Sequence, residues 1–195
     1  MKRKPVRIID QLPRRRPPLH VTHGNIVVRF NVGVQLDMAH LVHAAPNMFG
    51  YVLMAGIARL QTPHMNILIF SDGNCQLMSA VTMEHAECAI SAFIVVLRLL
   101  GYNALYPPRL DVKNIMSRMS LGGVVQIDAF CRAYPNRVTK MEGKFIGCRV
   151  AIPNTNVQVT VFCTGNVNLI GANSHEQSMR IMNDVAHICL PFVVQ

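Results

Sequence analysis

Tryptophan is absent from this chain, aromatic residues make up only 6% of it, and charged residues only 15%. So few charges beside 51% apolar residues exclude a solvating, disordered polypeptide, and a sizeable core is expected. No apolar run reaches the ~18 residues of a membrane-spanning helix. The best stretch, within Ala86–Leu97, is broken by Ser91 and stops at Arg98. No apolar segment follows the basic N-terminus, which disfavours a secretory leader. The six cysteines (75, 88, 131, 148, 163 and 189) form no Cys-x-x-Cys pair. They read as reduced, mostly buried thiols of an intracellular protein, not as a zinc or disulfide framework. The signatures GxxxxGKS/T, GxGxxG and GxSxG are missing, and the ten acidic residues are scattered. His40 and His43 lie three apart with no obvious carboxylate or cysteine to complete a metal site. The expectation is a protein without catalytic activity, cofactor, metal, membrane contact or small-molecule substrate.

The charge that is present is unevenly placed. The formal net charge is +9, yet residues 1–19 alone carry seven Lys/Arg against one Asp, together with four prolines. Proline and like-charge repulsion keep such a segment out of regular structure. It reads as an extended arm: a solvated tail, a nuclear-import signal or a nucleic-acid arm. Residues 20–105 sum to −1 and residues 109–195 to +4.

From Gly24 the pattern turns to strand. Ile26, Val28, Phe30 and Val32 alternate with Asn25, Val27, Arg29 and Asn31, which places the two sets on opposite faces. Gln35–Ala45 reads as a short helix ended by Pro46, and Val52–Leu60 and Met65–Phe70 read as strands. Ser71-Asp-Gly73 is a hairpin turn leading into a strand over Asn74–Ala80. Thr82 caps a helix that runs from about Met83 to Leu100 and stops at Gly101.

The pattern then repeats. Asn114-Ile-Met116 restates Asn25-Ile-Val27, and Ile127-Asp-Ala-Phe130 restates Leu36-Asp-Met-Ala39. Arg149 and Pro153 restate Arg59 and Pro63. Val161-Phe-Cys-Thr-Gly-Asn166 restates Ile69-Phe-Ser-Asp-Gly-Asn74, and Leu169-Ile-Gly-Ala172 restates Leu77-Met-Ser-Ala80. Ser174-His-Glu176 opens a second long helix as Thr82-Met-Glu84 opened the first. The offset drifts from 89 to 92, as small loop insertions produce. Two copies of one strand–helix–strands–helix unit, related by a pseudo-twofold axis, follow.

This order of motifs, occurring twice between about Gly24 and Pro191, resembles the TATA-box-binding protein family. The resemblance implies an α+β saddle: two pseudo-twofold repeats, residues 20–108 and 109–195, forming a ten-stranded antiparallel sheet with helices on its convex face. It also implies that the concave face sits on A·T-rich duplex in the minor groove and bends it. Minor-groove kinking with apolar wedges is known of that family itself. Strand alternation independently leaves Asn25, Val27 and Arg29, with Asn114, Met116 and Arg118, on the open face. The neighbouring hairpins add Asn74, Gln76 and Met78, matched by Asn166, Asn168 and Ile170. Amides can donate to the A N3 and T O2 acceptors while apolar groups press on the groove. A purely structural asparagine pair is the alternative for Asn25 and Asn114.

By the resemblance, Asn25 and Asn114 match the central minor-groove asparagines, Val27 and Met116 the neighbouring valines, and Arg59 and Arg149 arginines that touch phosphates. Leu68 joins the apolar strand residues of the face. Phe70 and Phe162 match one member of each intercalating pair. Leu53 or Phe49 is the second member in the first repeat. In the second, strict spacing gives Gly143, which cannot insert, with Phe145 close by. Departures are evident. Met78 and Ile170 stand where the family has threonines, and Asn74, Asn166, Val81 and Asn173 where it has lysines. Arg29 and Arg118 occupy positions that the family fills with small residues, either as groove or phosphate contacts or as rim charges. The segment Glu84–Leu100 is apolar on most sides where the family's helix is basic, so altered protein partners are expected, either transcription factors or polymerase subunits. The stirrup Tyr134–Lys144 keeps one acid, Glu142. These departures mark a divergent copy, of the kind a large DNA virus encodes, working in the nucleus or in a cytoplasmic viral factory. The expected function is promoter binding that nucleates a transcription complex. The alternatives are an interaction scaffold on the same fold with weak or no DNA binding, and an unrelated α+β enzyme with a pocket between helices and sheet.

Overall fold

Alternation in the first strand sets the architecture. Ile26, Val28, Phe30 and Val32 are buried, while Asn25, Arg29 and Asn31 are exposed on the other face. The structure, a computed structural model, describes residues 20–44, 49–54, 57–61, 66–106, 108–143 and 146–194. The arm read at 1–19 lies outside the described residues.

The first repeat consists of β1 (Val21–Asn31), α1 (Met38–Ala44), β2 (Phe49–Met54), β3 (Ile57–Gln61), β4 (Asn66–Phe70), β5 (Asn74–Ala80) and α2 (Met83–Leu99). The second consists of β6 (Asp111–Ser120), β7 (Val124–Val125), α3 (Ile127–Ala133), β8 (Val138–Lys140), β9 (Gly147–Ala151), β10 (Gln158–Phe162), β11 (Asn166–Ala172) and α4 (His175–Cys189). A 3₁₀ turn over Leu190–Phe192 and β12 (Val193–Val194) follow. Ten strands form one antiparallel sheet in the order β2-β3-β4-β5-β1-β6-β11-β10-β9-β8. The β1–β6 ladder joins the repeats at the centre, and β2 and β8 are the outer edges.

Helices α2 and α4 cover one face. From α2, Ala86, Ile90, Phe93, Ile94 and Leu97 are buried, and from α4, Ile181, Met182, Val185 and Ala186. Burial of each large side chain contributes about 1.5–3 kcal/mol. Both helices begin on an oxygen cap: Thr82 Oγ1 accepts from the His85 N–H, and Ser174 Oγ from the Gln177 N–H. Both Phe-x-x-Gly turns need their glycine. Gly73 and Gly165 lie at φ +82° and +83°, and an added Cβ would run into the Val34 and Gly123 carbonyl oxygens, respectively.

Three expectations need correction. The run Val52–Leu60 is not one strand but parts of two, β2 and β3, paired as a hairpin. Apolar residues fill both arms, so only Gly56 punctuates the sequence there. The first short helix starts at Met38, because Asp37 takes the His40 N–H at 3.1 Å and acts as its cap. The cysteines are less buried than expected. Cys75, Cys148 and Cys189 are buried, Cys131 and Cys163 are half-buried, Cys88 is exposed, and all six are free. Burial pushes the Cys148 and Cys189 thiols up to about 12, so neither ionises readily.

One polar cluster sets the second repeat apart from the first. Ser117 and Ser178 are fully buried between β6 and α4 and share a hydrogen bond at 2.5 Å. Ser117 Oγ also meets His23 Nδ1 at 2.8 Å, and the His23 ring stands edge-on to His175 at 4.6 Å. At the positions of the first repeat that match the two serines, Val28 and Ala86 are apolar. Burial first, and the neighbouring His175 second, hold His23 below its ordinary 6.5. The unfolded chain therefore takes up this proton more readily. The stability that His23 contributes is complete above about pH 6.5 and is lost as pH falls below it. The expected result in thermal melts between about pH 7.5 and 5 is a declining Tm, with a shallower decline in His23→Gln.

Candidate nucleic-acid interface

Register assembles the open face of the sheet into matched rows. In the first repeat, Arg59, Leu68, Gln76 and Arg29 lie side by side on β3, β4, β5 and β1. In the second, Arg149, Thr160, Asn168 and Arg118 lie side by side on β9, β10, β11 and β6. The seam continues each row across the axis, to Asp111 beside Arg29 and to Thr22 beside Arg118. Val27 pairs with Asn114, and Met116 with Gly24. Met78 is half-buried and Ile170 is 47% exposed, so each repeat keeps an apolar residue on the face.

The amides on this face are not free rotors. Gln76 Oε1 accepts from Arg29 Nε at 3.2 Å, and Asn66 Oδ1 from Arg59 Nε at 2.9 Å. Asn114 Oδ1 accepts from the Gly171 N–H at 2.7 Å, which fixes the amide orientation, because only the oxygen can accept. Asn114 Nδ2 then gives one hydrogen to the Asn25 carbonyl at 3.1 Å. In all three side chains the carbonyl oxygen is engaged by a protein donor. Both N–H groups of Gln76, both of Asn66 and one of Asn114 have no protein partner among the described residues.

The paired asparagines thus differ in their surroundings. Asn114 is half-buried and ties β6 to the bulges of β1 and β11. Asn25 is exposed at φ +48°, a left-handed conformation that asparagine tolerates better than most residues. Asn114 spends two hydrogen bonds on the fold and retains one N–H.

Phe70 and Phe162 are half-buried, opposite Ile57 and Gly147 across their hairpins. Phe49 and Leu53 belong to β2, but their side chains lie outside the described residues, as does the whole of Phe145. Gly143 sits at φ +122° in the turn after β8. Two residues of the face escape sequence reasoning. Ile146 is 62% exposed and lines a cleft together with Phe162 and Arg118. Thr160 fills the slot that Leu68 fills in the first repeat, and the offset of 92 points to it. For Ile146 the same arithmetic gives no signal, since the offset of 90 leads to Gly56. Val81 and Asn173 are exposed, and Glu142 is exposed on the stirrup. On the convex side, Cys88, Ala92, Val95 and Leu99 form an exposed stripe at helical spacing along α2. His40 meets the Tyr102 hydroxyl at 2.9 Å, and no cluster of three metal-ligating side chains occurs among the described residues.

The sequence model of the family described as transcription factor TFIID (or TATA-binding protein, TBP) matches this chain twice, over residues 20–100 and 109–190. A TATA-box-binding protein of Thermococcus celer is 24% identical over 156 residues, 79% of this chain and 82% of its own length. One from Methanocaldococcus jannaschii is 24% identical over 163 residues, 83% of this chain and 88% of its own. The solved structure of Methanococcus jannaschii TBP superposes with a TM-score of 0.77 at 22% identity, covering 86% of this chain and 97% of that one, and shows the same fold.

Truncating Asn114 would strand the Gly171 N–H and the Asn25 carbonyl. Asn114→Ala is expected to lower stability by about 1–3 kcal/mol in urea unfolding, with Gln76→Ala close to neutral.

Proposed function

Because the chain belongs to the TATA-binding protein family, we propose that it binds A·T-rich promoter duplex through the minor groove, bends it, and nucleates a transcription initiation complex. The protein is a binding factor and not an enzyme. The observation that carries the reading is that three concave amides keep free N–H groups while a protein donor already holds each carbonyl oxygen. Gln76, Asn66 and Asn114 each have the oxygen bonded to a protein donor and at least one N–H without a protein partner among the described residues. An A·T minor groove offers only acceptors, A N3 and T O2, whereas G·C adds the donating N2 amine. A face of donors matches the acceptors of the first and leaves the N2 amine of the second without a partner.

Roles follow from position. Asn25, Asn114, Gln76 and Asn168 read the groove, with Val27, Met116, Leu68, Met78 and Ile170 against sugars and base edges. Phe70 and Phe162 wedge base steps, assisted by Ile146 and by Phe49, Leu53 or Phe145. Arg59, Arg149, Arg29 and Arg118 meet phosphates, and missing lysines weaken that grip. Repeats 20–108 and 109–195 act as one saddle. Partner proteins of the transcription machinery dock on the stirrups and on the stripe of Cys88, Ala92, Val95 and Leu99. Exposed apolar surface of that kind marks an interface. The site of action is inside the cell, where the promoter is.

A second reading, a scaffold on this fold with little DNA affinity, is favoured by Asp111, a carboxylate beside Arg29 on the face itself. Gln76→Glu separates the two. It preserves an oxygen for Arg29 and replaces the outward amine by an acceptor. In fluorescence anisotropy against an A·T-rich duplex and a G·C-scrambled one, wild type is expected to prefer the former. Gln76→Glu is expected to lose about tenfold or more of that affinity. Equal affinity of the wild type for both duplexes, or none for either, would leave the scaffold.

A further inference from the structure

The two long helices share a buried face and differ on the outer one. At the repeat offset of 92, Ile90, Phe93 and Leu97 of α2 correspond to Met182, Val185 and Cys189 of α4, and all six are buried. On the opposite side Cys88, Ala92 and Val95 correspond to Arg180, Asp184 and His187, and all six are exposed. The outer face of α4 holds what a solvated helix face ordinarily holds. That of α2 is apolar, and it ends on Leu99, at 82% the most exposed large apolar side chain among the described residues.

The spacing of this stripe is that of a helix-pairing seam. Cys88, Ala92, Val95 and Leu99 follow one another by four, three and four residues, and half-buried His85 extends the series by three. Alternating steps of three and four are the pattern by which helices pack side by side. Glu84, Ser91 and Arg98, seven residues apart, run along one edge of the seam. That edge starts with an acid in the first turn of α2 and finishes with a base in the last.

We propose that a second copy of this chain docks here, the two α2 helices lying antiparallel about a twofold axis. The face is self-complementary in that arrangement. Cys88 meets the second copy's Ala92, a small pair that allows close approach, and His85 meets the second copy's Val95. Leu99 reaches the far end of the second helix, where Val81 is exposed. Glu84 falls beside the second copy's Arg98, and the axis repeats that pair. The seam is about 25 Å long and about 10 Å wide, far short of the ~1,200 Å² that a lasting interface buries. The association is therefore weak and reversible, and a protein of the transcription machinery can displace it. Helix α2 lies across the sheet from the concave amides, so the dimer leaves both concave faces open. The proposal rests on the reading of this stripe as an interface and not on duplex binding.

Sedimentation velocity of the whole chain, under a reducing agent and from about 10 µM to about 1 mM, reads the association. Wild type is expected to pass from monomer to dimer over this range. Val95→Glu, with its fold checked by circular dichroism, is expected to stay monomeric. Glu84→Arg and Arg98→Glu are each expected to associate about fivefold more weakly. An equal mixture of the two is expected to regain the wild-type affinity, because each arginine of the mixed pair again meets a glutamate. Arg98 also holds the Ala104 carbonyl, so recovery in the mixture decides and not the single loss. If Arg98→Glu fails to fold, Val95→Glu decides alone. A wild type that stays monomeric overturns the proposal and leaves the stripe to another protein. A dimer that survives Val95→Glu, or a mixture no tighter than its folded components, overturns it as well. Anisotropy against the A·T-rich duplex, run on the same wild-type sample, keeps the two readings apart. Dimer without duplex binding sinks the groove reading alone, and duplex binding by a strict monomer sinks the seam alone.

Discussion

The β1–β6 ladder is the contact on which everything else depends. It is where the ten-stranded sheet passes from one repeat to the other, and it is not regular. Register shifts interrupt it between Gly24 and Val27 and between Val27 and Val28, and matching shifts occur where β5 and β11 flank it. Bulges increase local twist and bend a strand. Placed at the centre of a long sheet, they curve it into a saddle. Three left-handed residues collect there: Asn25, Ser79 and, at the position equivalent to Ser79, Gly171. Asn114 holds this region together by bonding to one bulge on each side.

Duplication supplies two equal faces, and later substitution made them unequal. Apolar positions are the most faithful: Ile26 and Ile115, Leu77 and Leu169, Ala80 and Ala172 are buried in both copies. Polar positions have drifted. Buried serines between β6 and α4 stand where the first copy has Val28 and Ala86, and Thr164 and Thr22 match Asp72 and Asp111 by the repeat offset. The core tolerates little change in volume, whereas a solvated edge tolerates most changes of charge. The asymmetry therefore lies in electrostatics, on a backbone that remains symmetric.

Much of this was legible in the residues. Alternation around Phe30, oxygen caps at Thr82 and Ser174, and the two Phe-x-x-Gly turns are local signals with local causes, and the structure has each of them in place. The duplication was legible too, and in the structure the two units share the sheet through their first strands, β1 and β6. The hairpin of β2 and β3 was hidden because the run is apolar up to Arg59 and the two residues between its arms, Ala55 and Gly56, include no Asn or Asp. The ribbon of β7 and β12 was hidden because each strand is two valines long and pairs with residues about 70 positions away. Amide orientation had no sequence signal. The bonds that engage the oxygens of Gln76, Asn66 and Asn114 come from Arg29, Arg59 and Gly171, whose N–H groups register brings within reach.

The two edges of the sheet are unlike. β8 is three residues long, ends in Lys140, and is followed closely by the turn at Gly143. Such a short, charged strand is a poor template for another chain. β2 reads Phe-Gly-Tyr-Val-Leu-Met, six residues with no charge and no proline. A sequence of that composition on an open edge invites pairing with the same strand of another molecule. Colloidal behaviour at high concentration is thus governed at one tip of the saddle.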